Sequence, residues 1–338
     1  MDDIEFRRNL ENFSAFARVG IIGMGAWGSA VALLAAPKAA SIVCYAKNYE
    51  KLHSKLLPYQ DKIEVVDSFL PLREVDLICI SVPAQAFRSV MSELSLSVDL
   101  GCKTLLICSK GIENETCALM SDISDEVSNN APVAVLSGPN FASEVMLGKP
   151  AATVIACQKL DVAAKIINAF SSQIFRPYYS DDIYGVQICG AAKNVIAIAA
   201  GVISALDFGQ NAHAALIARG LVEIGRLITR RGGQYKTLNG LAGVGDLVLT
   251  CGSNESRNRK FGSDIITTKS NIQDLISKST VEGYYTAKSL YDLGKRLNID
   301  IPIVECIYEL LYEGGDAHSV IERVLSRPLS LDSHFYSL

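Results

Sequence analysis

Between Arg18 and Ser180 the chain alternates short apolar runs, rich in β-branched residues, with polar or alanine-rich segments of helix length. The runs are RVGII, SIVCYA, IEVV, DLICISV, KTLLICS, VAVLS, ATVIAC and FRPYYS. Most are apolar at successive positions, so both faces of each strand should be covered, as in a mostly parallel sheet flanked by helices. After Asp181 this texture stops. Ala212 to Arg230, Tyr284 to Leu297 and Val304 to Tyr312 instead carry apolar residues at the 3.6 spacing of amphipathic helices. The predicted class is α/β: a doubly wound N-terminal sheet followed by an all-helical C-terminal domain. The expected division is an extension over 1–17, a sheet domain over 18–180 and a helical domain over 181–338, with Asp181-Asp182 capping the first helix.

A length of 338 residues suits two domains, and 49% hydrophobic with 20% charged residues excludes global disorder. The net charge of −4 leaves no general footprint for nucleic acid or anionic membrane, so an anionic ligand must be held by local charge. The longest apolar run without a charge, Val195 to Leu206, is too short to span a bilayer, and no membrane insertion is expected. Met1-Asp2-Asp3-Ile4-Glu5 is acidic and is not a secretory signal. Nine cysteines without CxxC spacing, several inside apolar runs, read as reduced thiols of a cytoplasmic protein. Four scattered histidines give no metal pattern, and no metal is expected.

The first strand runs into Gly23-Met24-Gly25-Ala26-Trp27-Gly28 and then an alanine-rich segment. A GxGxxG at the strand-to-helix turn of a βαβ unit is the dinucleotide fingerprint of a Rossmann-like fold. Gly23 makes the turn, Gly25 lets backbone approach a pyrophosphate, and Gly28 lets the helix pack on the strand. Residues 18–180 are therefore read as a dinucleotide-binding domain and 181–338 as a substrate-binding one. Trp27 either covers the pyrophosphate or packs structurally. The second strand ends in Tyr45-Ala46-Lys47-Asn48, without the acidic residue that binds an NAD ribose. Lys47 is thus either a site for the 2′-phosphate of NADP or a solvated loop lysine.

Further polar groups cluster at strand ends and inside apolar helices. Lys110 follows the fifth strand, at the carboxyl edge where such sheets bind ligands, and Gly138 and Asn140 follow the sixth. Lys193 lies in the apolar stretch GAAKNVIAIAAG, where an unpartnered lysine is unfavourable; it is a catalytic ammonium or a lysine snorkelling from a helix edge. Asp246 in GVGDLVLT is its natural partner or a helix cap. Ser256-Arg257-Asn258 offers groups that grip phosphate, unless Arg257 merely pairs with Glu255.

In order, GxGxWG, SVP, SKG, SGPNFA, GAAKNVIAIAAG, ARGLVEIGRL, GLAGVGDLVLTC, SRNRKFG and TVEGYYTAK resemble the motifs of bacterial NAD(P)-dependent glycerol-3-phosphate dehydrogenases, over about residues 18–325. The resemblance implies reversible reduction of dihydroxyacetone phosphate to sn-glycerol 3-phosphate with NADP or NAD, a place in phospholipid synthesis, and a homodimer. It implies that Lys193 transfers the proton beside Asp246. It places substrate at Lys110, Gly138, Asn140, Asp246, Ser256, Arg257 and Asn258, and cofactor at Ala26, Trp27, Lys47, Ala142, Thr280 and Glu282, with Lys110 and Arg257 touching both. Two positions depart from the pattern: members often carry serine or threonine at Asn140 and histidine or arginine at Lys47. The competing readings are a two-domain dehydrogenase of the 3-hydroxyacid type, against which the phosphate-type cluster argues, and a non-catalytic NAD(P)H sensor, against which Lys193 with Asp246 argues.

Overall fold

The computed structural model describes residues 10, 12–47, 53–268 and 270–325. Among these residues it forms two compact units: one runs to Ser109 and takes in 120–183, and the other joins 110–119 to the chain from Tyr184 onward. The expected stretch 18–180 is thus interrupted: residues 110–119 leave the sheet unit and pack with the helices. Ile112, Cys117 and Leu119 account for this, because all three are buried in the helical core.

The first unit is an eight-stranded sheet in the order β3-β2-β1-β4-β5-β6-β7-β8. Its strands are β1 (Arg18–Ile22), β2 (Ser41–Tyr45), β3 (Ile63–Val66), β4 (Leu77–Ile80), β5 (Thr104–Ile107), β6 (Val133–Ser137), β7 (Ala151–Cys157) and β8 (Phe175–Ser180). The first six pair in parallel, β7 is antiparallel to β6, and β8 is parallel to β7. Helices α1 (Ala26–Ala35), α2 (Ala84–Ser97), α3 (Met120–Val127), α4 (Ala142–Met146) and α5 (Leu160–Phe170) accompany it. The continuous apolar runs are explained by burial: every residue of β4 and β5 is buried. Part of the N-terminal extension is also held, since Asn168 of α5 donates to the carbonyls of Leu10 (2.8 Å) and Phe13 (2.6 Å).

The second unit is helical: α6 (Ile183–Ala205), α7 (Gly209–Arg230), α8 (Asp246–Gly252), α9 (Arg257–Thr267), α10 (Ile272–Lys278), α11 (Glu282–Leu297), α12 (Pro302–Tyr308) and α13 (Ala317–Leu325). Asp182 directly precedes α6, and its N–H donates to Ser180 Oγ. The α6 helix has 23 residues and is long and apolar enough to cross a membrane, which the shorter charge-free run did not lead one to expect. Instead, residues 185–203 of it are buried inside the protein and contribute to the helical core. Alongside it, α9 approaches unusually closely. A Cβ on Gly201 would lie 2.0 Å from the Arg259 carbonyl oxygen, and one on Gly262 would lie 2.1 Å from that of Ile198.

Candidate active site

In the sheet unit, Gly23 makes the turn after β1 with φ +94°, a conformation L side chains rarely adopt. A Cβ on Gly28 would lie 1.8 Å from the Gly23 carbonyl oxygen, so α1 can start this close to β1 only with glycine there. Gly25, by contrast, is exposed and faces open space, and α1 begins at Ala26 with no side chain capping its first N–H groups. Open backbone at a helix start fits a pyrophosphate. Trp27 packs on the sheet core, and its indole Nε1 is buried without a hydrogen-bond partner. Lys47 lies two residues beyond β2, exposed, with its ammonium 3.7 Å from Glu93. Residues 48–52, including Asn48, lie outside the described residues.

At the end of β6, Gly138 is backed by Thr153. Asn140 donates its amide to the carbonyls of Ala152 (2.9 Å) and Pro139 (3.0 Å), which leaves Oδ1 as a buried acceptor without a partner. Ser137 Oγ is in the same condition. Ala142 is the first residue of α4. In the helical unit Thr280 is exposed and Glu282 begins α11.

The densest polar group lies wholly within the helical unit. Asp246, 1% exposed by its side chain, accepts from Lys193 Nζ at 2.5 Å through Oδ1 and from Lys110 Nζ at 2.8 Å through Oδ2. Lys193 also donates to Thr250 Oγ1 at 3.0 Å, and that hydroxyl donates to the Asp246 carbonyl one helical turn back. Thr250 was not singled out from the sequence. Its signal was there, four positions after Asp246 and therefore on the same helix face. Burial pushes the Lys193 ammonium down to about 8; Asp246 pulls it up and Lys110 pushes it down further. Two cations on one carboxylate leave one positive charge in excess, in a site where little water screens it.

Beside this cluster, Asn258 Nδ2 donates to Asn194 Oδ1 (2.9 Å), and Asn258 Oδ1 accepts from Gly283 N (2.9 Å). The Asn258 side chain is thus engaged in joining α9, α6 and α11. Ser256 caps α9 by accepting from Arg259 N at 3.2 Å. Arg257 is exposed at the first position of that helix. Among the described residues its guanidinium makes no ion pair, with Glu255 or any other carboxylate.

Two family models match: the N-terminal model of NAD-dependent glycerol-3-phosphate dehydrogenase over residues 18–163 and its C-terminal model over 182–322. The chain belongs to the NAD-dependent glycerol-3-phosphate dehydrogenase family. It is 38% identical over 325 residues to the glycerol-3-phosphate dehydrogenase [NAD(P)+] of Erythrobacter litoralis, covering 93% of this chain and 97% of that one. To its counterpart from Zymomonas mobilis it is 37% identical, with 93% and 94% covered. The crystal structure of glycerol-3-phosphate dehydrogenase from Coxiella burnetii superposes with a TM-score of 0.84 at 32% identity, over 92% of this chain and 99% of that one.

Proposed function

We propose that the protein reduces dihydroxyacetone phosphate to sn-glycerol 3-phosphate with NADPH or NADH, and runs the reverse reaction. The observation that carries this reading is the buried Lys193–Asp246–Lys110 cluster in a chain of this family. Family membership also disfavours the 3-hydroxyacid and sensor alternatives.

Bound NAD(P)H supplies the hydride that reduces the substrate carbonyl. Lys193 donates its proton to the oxygen that becomes the C2 hydroxyl, and in oxidation takes it back. A pKa of about 8 keeps much of the ammonium protonated near neutrality while easing its release. Asp246 and Thr250 hold Nζ in one orientation. Lys110 adds the second positive charge that stabilises negative charge developing on the substrate oxygen. For the substrate phosphate, the reading uses the Arg257 fork and the first N–H groups of α9, with Ser256 as cap and Asn258 fixing the helix against α6. Gly138 and Asn140 are assigned to the substrate as well. In the sheet unit, Gly23, Gly25, Ala26, Trp27 and Gly28 form the proposed cofactor cradle, and Lys47 receives the adenosine end. Ala142, Thr280 and Glu282 are further proposed cofactor contacts. A cytoplasmic homodimer that serves phospholipid synthesis belongs to the same proposal.

The test is spectrophotometric. Purified protein should oxidise NADPH with dihydroxyacetone phosphate and only slowly with unphosphorylated dihydroxyacetone. Comparable turnover of both ketones, or none of the phosphorylated one, would overturn the reading.

A further inference from the structure

Lys110 reaches the buried cluster from a segment with little regular structure. Residues 110–119 form a narrow excursion closed by a single antiparallel bridge, Ile112 to Leu119. Their apolar anchors, Ile112 and Leu119 at 0% exposure and Cys117 at 4%, hold the excursion in the helical core. Apolar burial is non-directional and does not by itself fix where an ammonium two residues away points.

Just before Lys110, the Ser109 hydroxyl donates to the Val82 carbonyl at 2.6 Å, and beyond Lys110 directional contacts on the excursion come from one face of α11. Ser289, fully buried, places Oγ 2.9 Å from the Ile112 carbonyl oxygen, 2.7 Å from Asn114 Oδ1 and 3.2 Å from the Tyr285 carbonyl one turn back, three acceptors for its one proton, of which the two nearer lie on the excursion. Seven positions on, and so two turns along the same face, Arg296 donates Nη1 to the Thr116 carbonyl at 2.8 Å and Nη2 to that of Glu115. The tip they grip contains two non-glycine residues with left-handed backbone, Glu115 (φ 68°) and Cys117 (φ 59°). That conformation is uncommon for such residues and persists where surrounding contacts enforce it.

We propose that Ser289 and Arg296 are positioning residues of the active site, stapling the 110–119 excursion to α11 and thereby setting the Lys110 ammonium on Asp246. The proposal rests on the catalytic reading above. Its consequence is electrostatic. The groups facing Lys193 are Asp246, Thr250 and Cys251 on α8 and Lys110 on the excursion. If Lys110 drifts, Lys193 loses a neighbouring cation and gains undivided use of the carboxylate. Both changes favour its protonated form, so its release of a proton should become harder and move to higher pH.

The experiment uses the full-length protein with Ser289→Ala, Arg296→Met and Arg296→Lys. Arg296 is exposed, so Arg296→Met leaves the core intact and carries the test if Ser289→Ala does not fold. Amide exchange over residues 111–118 reads the staple without turnover, and kcat against pH reads its effect on Lys193. Both disruptive variants should speed exchange in that segment and lower kcat about tenfold. The alkaline limb of the reduction should move upward by about one pH unit. Arg296→Lys, which keeps a cation for one carbonyl, should restore most of the rate. Faster exchange with kcat and limb both at wild-type values, or a lower kcat with the limb unmoved, would overturn the proposal. A wild-type protein inactive on dihydroxyacetone phosphate would instead defeat the catalytic reading, and the exchange measurement would still judge the staple.

Discussion

Replacing Asp246 by asparagine keeps size and shape but removes the charge shared by two ammonium groups, at 2.5 Å from Lys193 and 2.8 Å from Lys110. An opposite charge at hydrogen-bond distance moves a pKa by about 1–3 units. Without it, Lys193 should fall from about 8 to about 5–7. At pH 8 its protonated fraction then drops from about one half to somewhere between about 10% and 0.1%, which predicts a loss in reductive kcat of about fivefold to several hundredfold. Initial rates of NADPH oxidation at saturating dihydroxyacetone phosphate, measured from pH 5 to 9 at constant ionic strength, give the profile. The alkaline limb should move toward acid by about 1–3 units, so that much of the rate returns at low pH. This is opposite in sign to the shift expected when Lys110 alone is displaced. A limb that stays near 8 while the rate falls uniformly would show that Asp246 does not govern the Lys193 proton. Because breaking a buried ion pair costs about 3–5 kcal/mol, a melting curve must accompany the assay.

Arg257→Lys should raise KM for dihydroxyacetone phosphate about tenfold by losing one arm of a two-bond grip, and an unchanged KM would place the phosphate elsewhere. Lys47→Asp should weaken NADPH binding far more than NADH binding; calorimetric titrations showing equal weakening would remove Lys47 from the 2′-phosphate. Glu223, buried in α7, accepts from the N–H groups of Ile303 (2.7 Å) and Val304 (3.2 Å), yet burial pushes its carboxyl from 4.5 up to about 8. The folded protein then holds a proton that the unfolded chain releases. The stability linked to Glu223 is full below about 4.5 and is lost as pH rises through about 8. Relative to Glu223→Gln, wild-type Tm should fall between pH 5 and 8, and a Tm difference constant over that range would contradict the assignment.

The inner strands were legible because strands covered on both faces carry unbroken apolar runs, and each of the eight runs overlaps one of the eight strands. The reversal of β7 was not legible, since ATVIAC reads the same whichever way it pairs. Lys193 and Asp246 stood out because charged residues in apolar helices need partners. The excursion at 110–119 was hidden for a related reason: Ile112 and Leu119 are apolar, and local pattern does not say which core will take them. Contacts such as Ser289 to Ile112, 177 positions apart in the chain, exist only once the fold has formed. Asn258 shows the same limit. Its residue type suited a substrate donor, and the fold adds contacts that residue type could not show, to Asn194 and Gly283, which use one of its two amide N–H groups.

The path of the chain also constrains how this enzyme can be cut or recombined. A helical fragment begun at residue 184 would lack Ile112, Cys117 and Leu119 from its interior and one of the two ammonium groups on Asp246. A chimaera of two relatives joined at that point would inherit the 110–119 excursion from one parent and Ser289, Arg296 and Asp246 from the other. The two gene halves are therefore not independent modules. A viable exchange must carry the codons for 110–119 together with the helical half, although some sixty codons of the sheet unit lie between them.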